Sequence, residues 1–547
     1  MIIIMTLITV ILAIPAYWLA LRYNMHMFQL NVYKIGEQTD WLRKNIHMQW
    51  ILLFAMAFGF LSMICTAAYS TVLNVLCILI TWLTLGIIII VYRLMKEMNS
   101  KKPLVFTPRV KRMIATIIII SLIMLTAPFV FGRINPANVL LAAPMNGFLL
   151  WLTGSQIFMN MLACFINSPI ERAVNNHYLN DAKRILDENP DLTIIGVTGS
   201  YGKTSVKFYL ETLLRAKYSV LVTPESYNTP MGIVRTIRGQ LKRSHEIFVC
   251  EMGARYVGEI KEDCDIVHPK HGMITSVGPQ HLDTFGSIEN IKATKFELAD
   301  ALPEGGMLLL NGDNDYISEY LDYMRKSGAK LPPAYEAPIM YHAGESADGY
   351  YATDIKLTSR GTVFTANAPD GESCTYDMKL VGAHNIINVM GAIAMAHELG
   401  IKLDELRIPV RRLQPAAHRM EMKEQGGVTI IDDAYNSNPI GSKAAVETLA
   451  MFDGLRILIT PGMVELGDDE AEYNRKLGTY AASCCDYALL VGKRNSEVIK
   501  EGLLSEGFPE NKCLIFDKVE EAIEYAYGIK SDKRKYMLLE NDLPDNY

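Results

Sequence analysis

The stretch GVTGSYGKTS, residues 196–205, brings glycines, a lysine and hydroxyl groups together at a spacing that suits phosphate binding. Its glycines let the backbone curl, so that backbone N–H groups and the start of the following helix face an anion. Lys203 would reach the β and γ phosphates of a nucleotide, and the Thr204 hydroxyl would bind magnesium. The motif has the form TGxxGKT, because Val197 stands where the general phosphate-loop pattern has another glycine. The residues that we predict to bind nucleotide here are Thr198, Gly199, Ser200, Tyr201, Gly202, Lys203, Thr204 and Ser205.

A phosphate loop needs a strand before it and a helix after it, and the chain from residue 167 onward supplies both. Short apolar runs alternate with helical periodicity, which is typical of a parallel sheet covered by helices. The predicted strands are LTIIGV, SVLVT, EIFVCEM, GMITSV and GMLLLN. A strand-rich insertion follows at about 336–381, and the helix NIINVMGAIAMAHELG then ends at Gly400, as a C-cap glycine ends a helix. We therefore predict an α/β nucleotide-binding domain over residues 167–404.

A second series of apolar runs begins after the basic, proline-containing stretch RIPVRRLQPAAHR. Its predicted strands are VTIIDD, RILITPG, YALLVG, CLIFD and YMLLEN. Since helical segments separate them, this part is predicted to be a doubly wound, Rossmann-like domain over residues 405–547.

The chain before residue 167 has the composition of a membrane region. Four uncharged stretches are long enough to cross about 30 Å of hydrocarbon as helices, namely 2–21, 50–69, 72–92 and 113–131. A fifth candidate, 138–165, is longer but is interrupted by proline, glycine and polar residues. The first stretch has no basic residue before its apolar core, so we expect it to stay in the mature protein rather than to act as a signal peptide. We predict about five spans within residues 1–166.

The short loops predict the orientation of these spans. The segment 22–48 carries four Lys or Arg residues and the segment 93–112 carries seven, whereas the opposite side carries only Arg133. Basic loops face the cytoplasm, so the N-terminus is predicted to lie outside and the nucleotide-binding part inside. None of the five stretches carries a charge that would mark an ion path, which favours an anchor over a transporter or channel.

Composition excludes two further classes. Residues 1–166 hold 12 basic against 3 acidic residues, and the remainder holds 41 against 56, so the part outside the membrane is acidic. An acidic part offers no electrostatic footprint for nucleic acid. Nine cysteines without a CxxC pair indicate reduced core residues rather than a disulfide or zinc framework.

Several further stretches resemble the Mur ligases, which use ATP to join amino acids or peptides to a carboxylate. The stretch VCEMGARYVGEI is similar to the family segment whose glutamate, here Glu251, binds magnesium. The stretch SVGPQHLDTFGSIENIKATKFELA is similar to the segment whose histidine, here His281, helps to hold a second magnesium. Its lysine, here Lys295, is carbamylated in many members, and a carbamate suits a hard cation as an ammonium cannot. By the same resemblance, Asn228 is assigned to the substrate.

The later motifs follow in the family's order. LNGDND, GAHNIINVMGAIA and AAHRME are the first three, and IDDAYNSNP and TPGMVELG are the last two. The resemblance implies that Asn311, Asn385 and Asn388 line the adenine site and that Arg419 crosses from the last domain to the γ phosphate. The residue before that arginine is usually glycine, and here it is His418. The remaining residues that the resemblance implies are Asp432 and Asp433 for the cofactor, and Tyr435, Asn436, Asn438 and Glu465 for the substrate.

The last two motifs are most similar to the type of Mur ligase that adds D-alanyl-D-alanine. The resemblance thus implies peptidoglycan precursor synthesis through an acyl phosphate, with ATP and Mg²⁺ as cofactors and Lys203, Lys295 and Arg419 as catalytic residues. It covers about residues 192–547, and the membrane spans stand where this type has a domain that grips the nucleotide sugar.

Three alternatives stay open from the sequence: a lipid-linked wall precursor as acceptor, a γ-glutamyl acceptor, or a transporter with a nucleotide-binding domain. The expected partners are a small-molecule or lipid-linked precursor, a dipeptide or amino acid, and membrane enzymes of wall synthesis. The expected location is the bacterial cell membrane, with the catalytic domains in the cytoplasm.

Overall fold

The computed structural model describes residues 2–65, 71–97, 103–126, 142–328, 331–435 and 437–542. These fall into two compact units, one within Met1–Asn176 and one within His177–Leu543.

The described part of the first unit is helical. Its helices are α1 (Ile2–Leu30), α2 (Ile35–Lys44), α3 (Trp50–Cys65), α4 (Thr71–Glu97), α5 (Pro108–Met124), α6 (Ala142–Gly154) and α7 (Gln156–Asp187), the last of which continues into the second unit. Glycines let two of them approach closely: a β-carbon on Gly59 of α3 would lie 2.6 Å from the carbonyl oxygen of Gly147 of α6. Such small-residue contacts are typical of helix pairs in membranes.

Three helical segments are long and apolar enough to cross a membrane: Ile4–Leu30, Ile46–Ile64 and Val72–Met95. They coincide with the first three spans predicted from the sequence. The predicted fifth span corresponds to Met145–Gly154 and Gln156–Asp187, which are bent by 69° at their junction and give a fourth crossing if they count as one. For the predicted span 113–131, helix α5 ends at Met124, and residues 127–131 lie outside the described part. The described residues thus supply three or four crossings, where the sequence predicts five.

The second unit begins with a sheet of nine strands. The strands are β1 (Thr193–Thr198), β2 (Val220–Val222), β3 (Ile247–Glu251), β4 (His271–Ile274), β5 (Leu308–Asn311), β6 (Ile339–His342), β7 (Tyr350–Thr358), β8 (Gly361–Asn367) and β9 (Ser373–Met378). Their order is β2-β3-β1-β4-β5-β6-β7-β8-β9, parallel up to β7 and antiparallel at β7–β8–β9. The first five predicted strands and the strand-rich insertion are confirmed.

Helices cover both faces of this sheet. They are α8 (Lys203–Leu214), α9 (Pro230–Gln240), α10 (Glu259–Val267), α11 (Leu282–Phe285), α12 (Ile288–Asp300), α13 (Asp315–Lys326), α14 (His384–Glu398) and α15 (Arg407–Arg411). Successive residues of β1 point to opposite faces, so Ile195 packs in the core with α8 and α14 while Ile194 packs with α9, α10 and α12. Because both faces are buried, the central strands are continuous apolar runs.

The second sheet has six strands. They are β10 (Glu421–Gln425), β11 (Val428–Asp433), β12 (Leu455–Thr460), β13 (Tyr487–Val491), β14 (Cys513–Phe516) and β15 (Lys535–Glu540), in the order β10-β11-β15-β12-β13-β14. The helices are α16 (Pro439–Ala450), α17 (Glu470–Ala482), α18 (Ser496–Ser505) and α19 (Val519–Gly528). Residues of the first three pack on one face and those of α19 on the other, which confirms the predicted doubly wound architecture. Only β10 at the antiparallel edge was not predicted.

The cysteines that the structure describes are unpaired, and all but Cys164 are buried. This agrees with the expectation of reduced core residues.

Candidate active site

The predicted phosphate loop connects β1 to α8 and depends on two glycines. Gly199 has φ 150° and Gly202 has φ 79°, conformations that residues with side chains rarely adopt. A β-carbon on Gly199 would lie 2.2 Å from Thr275 Oγ1, and one on Gly202 would lie 2.5 Å from Asn388 Oδ1. The loop backbone therefore passes through a gap that only glycine fits, at the N-terminus of a helix, which suits an anion.

Residues after β4 fix the shape of this loop. Ser200 Oγ donates to the Gly278 carbonyl oxygen at 3.0 Å, and the Tyr201 backbone N–H donates to Ser276 Oγ at 2.7 Å. Ser205 is buried in the first turn of α8. Because β1 and β4 are neighbours, these contacts hold the loop at the carboxyl edge of the sheet, where parallel sheets bind ligands.

Lys203 is folded over the loop. Its ammonium donates to the carbonyl oxygens of Gly199 at 2.6 Å and Ser200 at 3.1 Å. Burial, together with the charge of Arg419, lowers the pKa of Lys203 to about 8, against the opposite effect of Glu251. A phosphate in the loop would supply the negative charge that this lysine lacks.

Oxygen and amide groups converge on Glu251, at the end of β3. Glu251 Oε1 accepts hydrogen bonds from Thr204 Oγ1 at 3.1 Å and from Asn228 Nδ2 at 3.0 Å. Its Oε2 lies 3.0 Å from Nζ of Lys207. Burial raises the pKa of Glu251, but Lys207 and Lys203 outweigh it and hold the pKa below its usual value. An ionised carboxylate beside a hydroxyl suits Mg²⁺, so the donor set fits the expected metal.

Lys295 lies on α12 and is 3% exposed. Burial and the nearby charge of Lys203 lower its pKa to about 7. A large share of this amine is therefore neutral near pH 7, and only a neutral amine adds carbon dioxide to form a carbamate. The residue thus has the property that carbamylation requires.

Glu465 connects the domain of the nine-stranded sheet to the domain of the six-stranded sheet. One carboxylate oxygen contacts Nδ1 of His281 and the other contacts the guanidinium of Arg255. Burial raises the pKa of Glu465, but His281 and Arg255 reverse that effect and bring it to about 2. His281 itself has φ 54° and a pKa that burial lowers. The structure therefore joins Glu465, which the sequence assigns to the substrate, to the predicted metal ligand His281.

Arg419 precedes β10 in the last domain. Its guanidinium lies 4.5 Å from the ring centre of Tyr435, which is exposed. The carboxylate of Asp432 bonds to Nδ1 of His418, and Asp433 Oδ1 accepts from the Met420 backbone N–H at 3.1 Å. Both aspartates therefore contact the turn that carries Arg419.

Other predicted residues have partners inside the fold. Asn385 accepts from the Tyr209 hydroxyl at 2.8 Å and donates to the Val381 carbonyl at 2.8 Å. Asn311 donates to the Thr275 carbonyl at 2.9 Å. Asn388 lies beside Gly202, as the contact above shows, so its assignment to the nucleotide has the more direct geometric support.

The predicted substrate residues after β11 are placed only in part. Asn438 accepts from the Gly441 backbone N–H at 2.7 Å and caps α16. Asn436 lies outside the described residues. Their roles toward a substrate stay predictions.

Sequence reasoning missed two residues of this site, Lys207 and Arg255. Lys207 lies one turn after Lys203, and a lysine on the buried face of a helix is a signal that could have identified it. Arg255 lies within a stretch already selected for Glu251, but nothing in the sequence points to a partner more than 200 residues away.

Comparison with known proteins gives two family matches. The Mur ligase middle domain matches residues 197–396, and the "Mur ligase, glutamate ligase domain" matches residues 418–539. Together they cover more than half of the chain.

Among curated proteins, the UDP-N-acetylmuramoyl-tripeptide--D-alanyl-D-alanine ligase of Escherichia coli K12 is 29% identical over 324 residues, which are 59% of this chain and 69% of that protein. The enzyme of the same name from Bacillus subtilis 168 is 30% identical, over 52% of this chain and 59% of its own length. The chain therefore spans about 59% to 69% of these two relatives.

Solved structures of Mur ligases are also similar to this chain. MurF from Acinetobacter baumannii has a TM-score of 0.60 at 25% identity, over 67% of this chain and 77% of that one. MurF ligase from Thermotoga maritima, in complex with ADP, has a TM-score of 0.57 at 25% identity, over 68% of this chain and 81% of that one.

Proposed function

Because this chain belongs to the Mur ligase family, we propose that it is an ATP-dependent ligase of peptidoglycan precursor synthesis that adds D-alanyl-D-alanine to a muramoyl tripeptide. The observation that carries the proposal is the phosphate loop, with Lys203 folded over it and Glu251 beside Thr204. The relatives named above carry this activity in their names, and the loop supplies the nucleotide site that the reaction requires.

The reaction joins a carboxylate to an amine in two steps. An oxygen of the acceptor carboxylate attacks the γ phosphorus of ATP, ADP leaves, and an acyl phosphate forms. The amine of the dipeptide then attacks the acyl carbon, inorganic phosphate leaves, and the amine loses a proton as the amide forms. Lys203 and Arg419 would neutralise charge on the transferred phosphoryl group.

Magnesium, when bound, would neutralise further phosphate charge. Thr204, Glu251 and Asn228 are the residues that could hold it or orient its ligands. Carbamylated Lys295, with His281, would form the second metal site that the sequence motif implies. The neutral amine of Lys295 supports this assignment.

The same proposal places the remaining parts of the chain. Residues 1–166 anchor the enzyme in the bacterial cell membrane as a multi-pass region, 167–404 form the ATP-binding domain, and 405–547 form the C-terminal ligase domain. The N-terminus lies outside and the ligase domains lie in the cytoplasm, where ATP is available. Three apolar helices and the basic segments 22–48 and 93–112 support the anchor and its orientation.

A lipid-linked acceptor is the second candidate, and the membrane helices favour it. Holding the ligase at the bilayer would raise the effective concentration of a lipid-linked precursor. With a soluble nucleotide-linked acceptor, the anchor would instead bring the product close to membrane enzymes of wall synthesis.

The test measures ADP release by the detergent-solubilised full chain with ATP, Mg²⁺, UDP-N-acetylmuramoyl-tripeptide and D-alanyl-D-alanine, omitting each substrate in turn. We expect release to require all of them and to disappear in Lys203→Ala. Lys261→Ala, which removes an exposed lysine paired with Asp265 on the same helix, is the matched control and should keep activity.

The same assay in membranes, with a lipid-borne tripeptide, separates the two acceptors. A rate on the soluble acceptor that equals or exceeds the rate on the lipid-borne acceptor in membranes would contradict the lipid-linked candidate. Wild-type rates in Lys203→Ala would contradict the phosphate-loop assignment.

A further inference from the structure

The backbone on both sides of Arg419 has an uncommon conformation. His418 has φ 58° and Met420 has φ 52°, both in the left-handed region. Residues with a β-carbon are disfavoured there, and glycine is the residue that adopts this conformation without strain. A side chain that stands at such a position in spite of the strain points to a role for the side chain itself.

The His418 side chain ties this turn to the end of β11. Its Nδ1 donates to Oδ2 of Asp432 at 2.8 Å, and Asp432 is only 7% exposed. On the other side of the arginine, the Met420 backbone N–H donates to Oδ1 of Asp433 at 3.1 Å. The turn is therefore held on both sides by two successive carboxylates of one strand.

The turn carries the partly buried side chain of Arg419. The guanidinium of Arg419 lies against the ring of Tyr435. Burial is the main cause of the lowered pKa of Lys203 in the phosphate loop, and the positive charge of Arg419 lowers that pKa further. The arginine thus acts electrostatically on the lysine that the nucleotide would contact. The two residues belong to different domains, since Lys203 follows β1 of the nine-stranded sheet and Arg419 precedes β10 of the six-stranded sheet.

We propose that His418 is a positioning residue, which through its bond to Asp432 holds Arg419 in the orientation that meets the terminal phosphate of ATP. The inference rests on the proposed function, because it assigns Arg419 to that phosphate. It adds that the imidazole at position 418 creates the specificity for a nucleotide with a γ phosphate.

Another use of the same residues is a metal site, since ligand atoms of His418, Glu421 and Asp432 lie within 4.8 Å of one another. The ammonium of Lys423 lies 2.8 Å from Asp432 and 3.0 Å from Glu421. An ammonium therefore already occupies the position between these carboxylates that a cation would need, and we assign the cluster to holding the turn.

The experiment compares the affinities of the detergent-solubilised full chain for ADP and for β,γ-imido-ATP by titration calorimetry. We expect His418→Gly to bind ADP within about twofold of wild type but to lose about tenfold in affinity for the imido analogue, the size of one charge-assisted contact. The thermal midpoint should not fall, because glycine accepts φ 58°. His418→Asn, which tolerates the left-handed conformation and keeps a donor, should recover part of the preference.

Three further variants test whether the effect of His418→Gly arises from its bond to Asp432. Asp432→Asn should reproduce the loss, and its combination with His418→Gly should be no worse than either single change. Asp354→Gly relieves a left-handed residue, at φ 50°, on an exposed part of β7 and should leave both affinities unchanged.

Arg419→Ala separates this inference from the proposed function. If Arg419→Ala keeps the preference for the imido analogue, the role of the arginine and the inference both fail. If Arg419→Ala loses the preference but His418→Gly keeps it, only the positioning inference is overturned. An equal loss of both nucleotides with a lower thermal midpoint would also overturn it, because that result indicates a purely structural role.

Discussion

Lys207 and Glu251 form an ion pair, with 3.0 Å between Nζ and Oε2, in which neither side chain is more than 1% exposed. The lysine also donates to the Glu225 carbonyl, so its position is fixed from two sides. A buried carboxylate stays ionised only beside a compensating charge. Lys207 therefore keeps Glu251 in the form that a magnesium ion can use.

We predict that Lys207→Met weakens magnesium binding and destabilises the domain. Removing one partner of a buried ion pair typically costs about 3–5 kcal/mol, because the other charge stays buried without compensation. The checks are the thermal midpoint and the Mg²⁺ concentration for half-maximal ADP release, which should rise by about tenfold or more. Adding Glu251→Gln to this variant should restore the thermal midpoint but should not restore magnesium binding. An unchanged Mg²⁺ concentration for half-maximal ADP release in Lys207→Met would contradict the assignment.

Lys295 should be needed as a carbamate. With a pKa of about 7, its amine is mostly neutral above pH 7 and mostly protonated below it, so carbamate formation falls as the pH decreases. Lys295→Ala should lose most ligase activity and regain part of it with added acetate or chloride. Carbon-13 NMR of protein equilibrated with labelled bicarbonate should show a carbamate signal in wild type and not in the variant. Full activity of Lys295→Ala without any addition would place the residue outside the reaction.

Glu465→Gln should impair closure of the two ligase domains on nucleotide. The change removes the negative charge that contacts Arg255 and His281. Loss of such a charged contact typically shifts the equilibrium that depends on it, here domain closure, by about tenfold or more. Distances between spin labels at the exposed positions Tyr323 and Tyr525, with and without nucleotide, measure the closure. If Glu465 instead binds the dipeptide, as the sequence predicts, the label distances in Glu465→Gln will equal those of the wild type, with and without nucleotide. Only the KM for D-alanyl-D-alanine will then rise.

Glu540 should make the last domain less stable as the pH rises. Burial, with the charge of Asp433 nearby, raises the pKa of Glu540 from 4.5 to about 7, so the folded state holds the proton more tightly than the unfolded state does. Stability is then unaffected below about pH 4.5, decreases between pH 4.5 and 7, and has lost roughly 3 kcal/mol at most above pH 7.

Glu540→Gln removes this titration. It should raise the thermal midpoint relative to wild type at pH 8 and not at pH 4.5. Thr460→Val, which deletes one hydroxyl that donates to Glu540, is the control and should lower the midpoint at both pH values. An equal effect of Glu540→Gln at both pH values would show that the carboxyl does not titrate in this range.

The central strands and the phosphate loop were predictable because their signals are local. β1, β3 and β13 are mostly apolar runs, and the loop glycines follow β1 directly. β10 has the sequence EMKEQ and is largely exposed at a sheet edge, so it lacks the apolar alternation from which a strand is predicted.

The contacts inside the site were not predictable in the same way. Glu465 and His281 are separated by 184 residues, and Lys207 and Glu251 become partners only because β3 lies beside β1. Such pairs depend on the register of the sheet and on the approach of two domains, which no local pattern records. The bend in the predicted fifth span was also not predictable, because hydropathy measures apolar length, whereas the structure shows a 69° bend after Gly154.

The buried thiols have a consequence for the behaviour of the enzyme under oxidative stress. Burial raises the pKa of Cys250, Cys264, Cys374, Cys484, Cys485 and Cys513. Peroxides and electrophiles react with the thiolate, which these residues scarcely form at neutral pH. We therefore expect the ligase domains to keep their activity at peroxide concentrations that inactivate enzymes with exposed, reactive thiols.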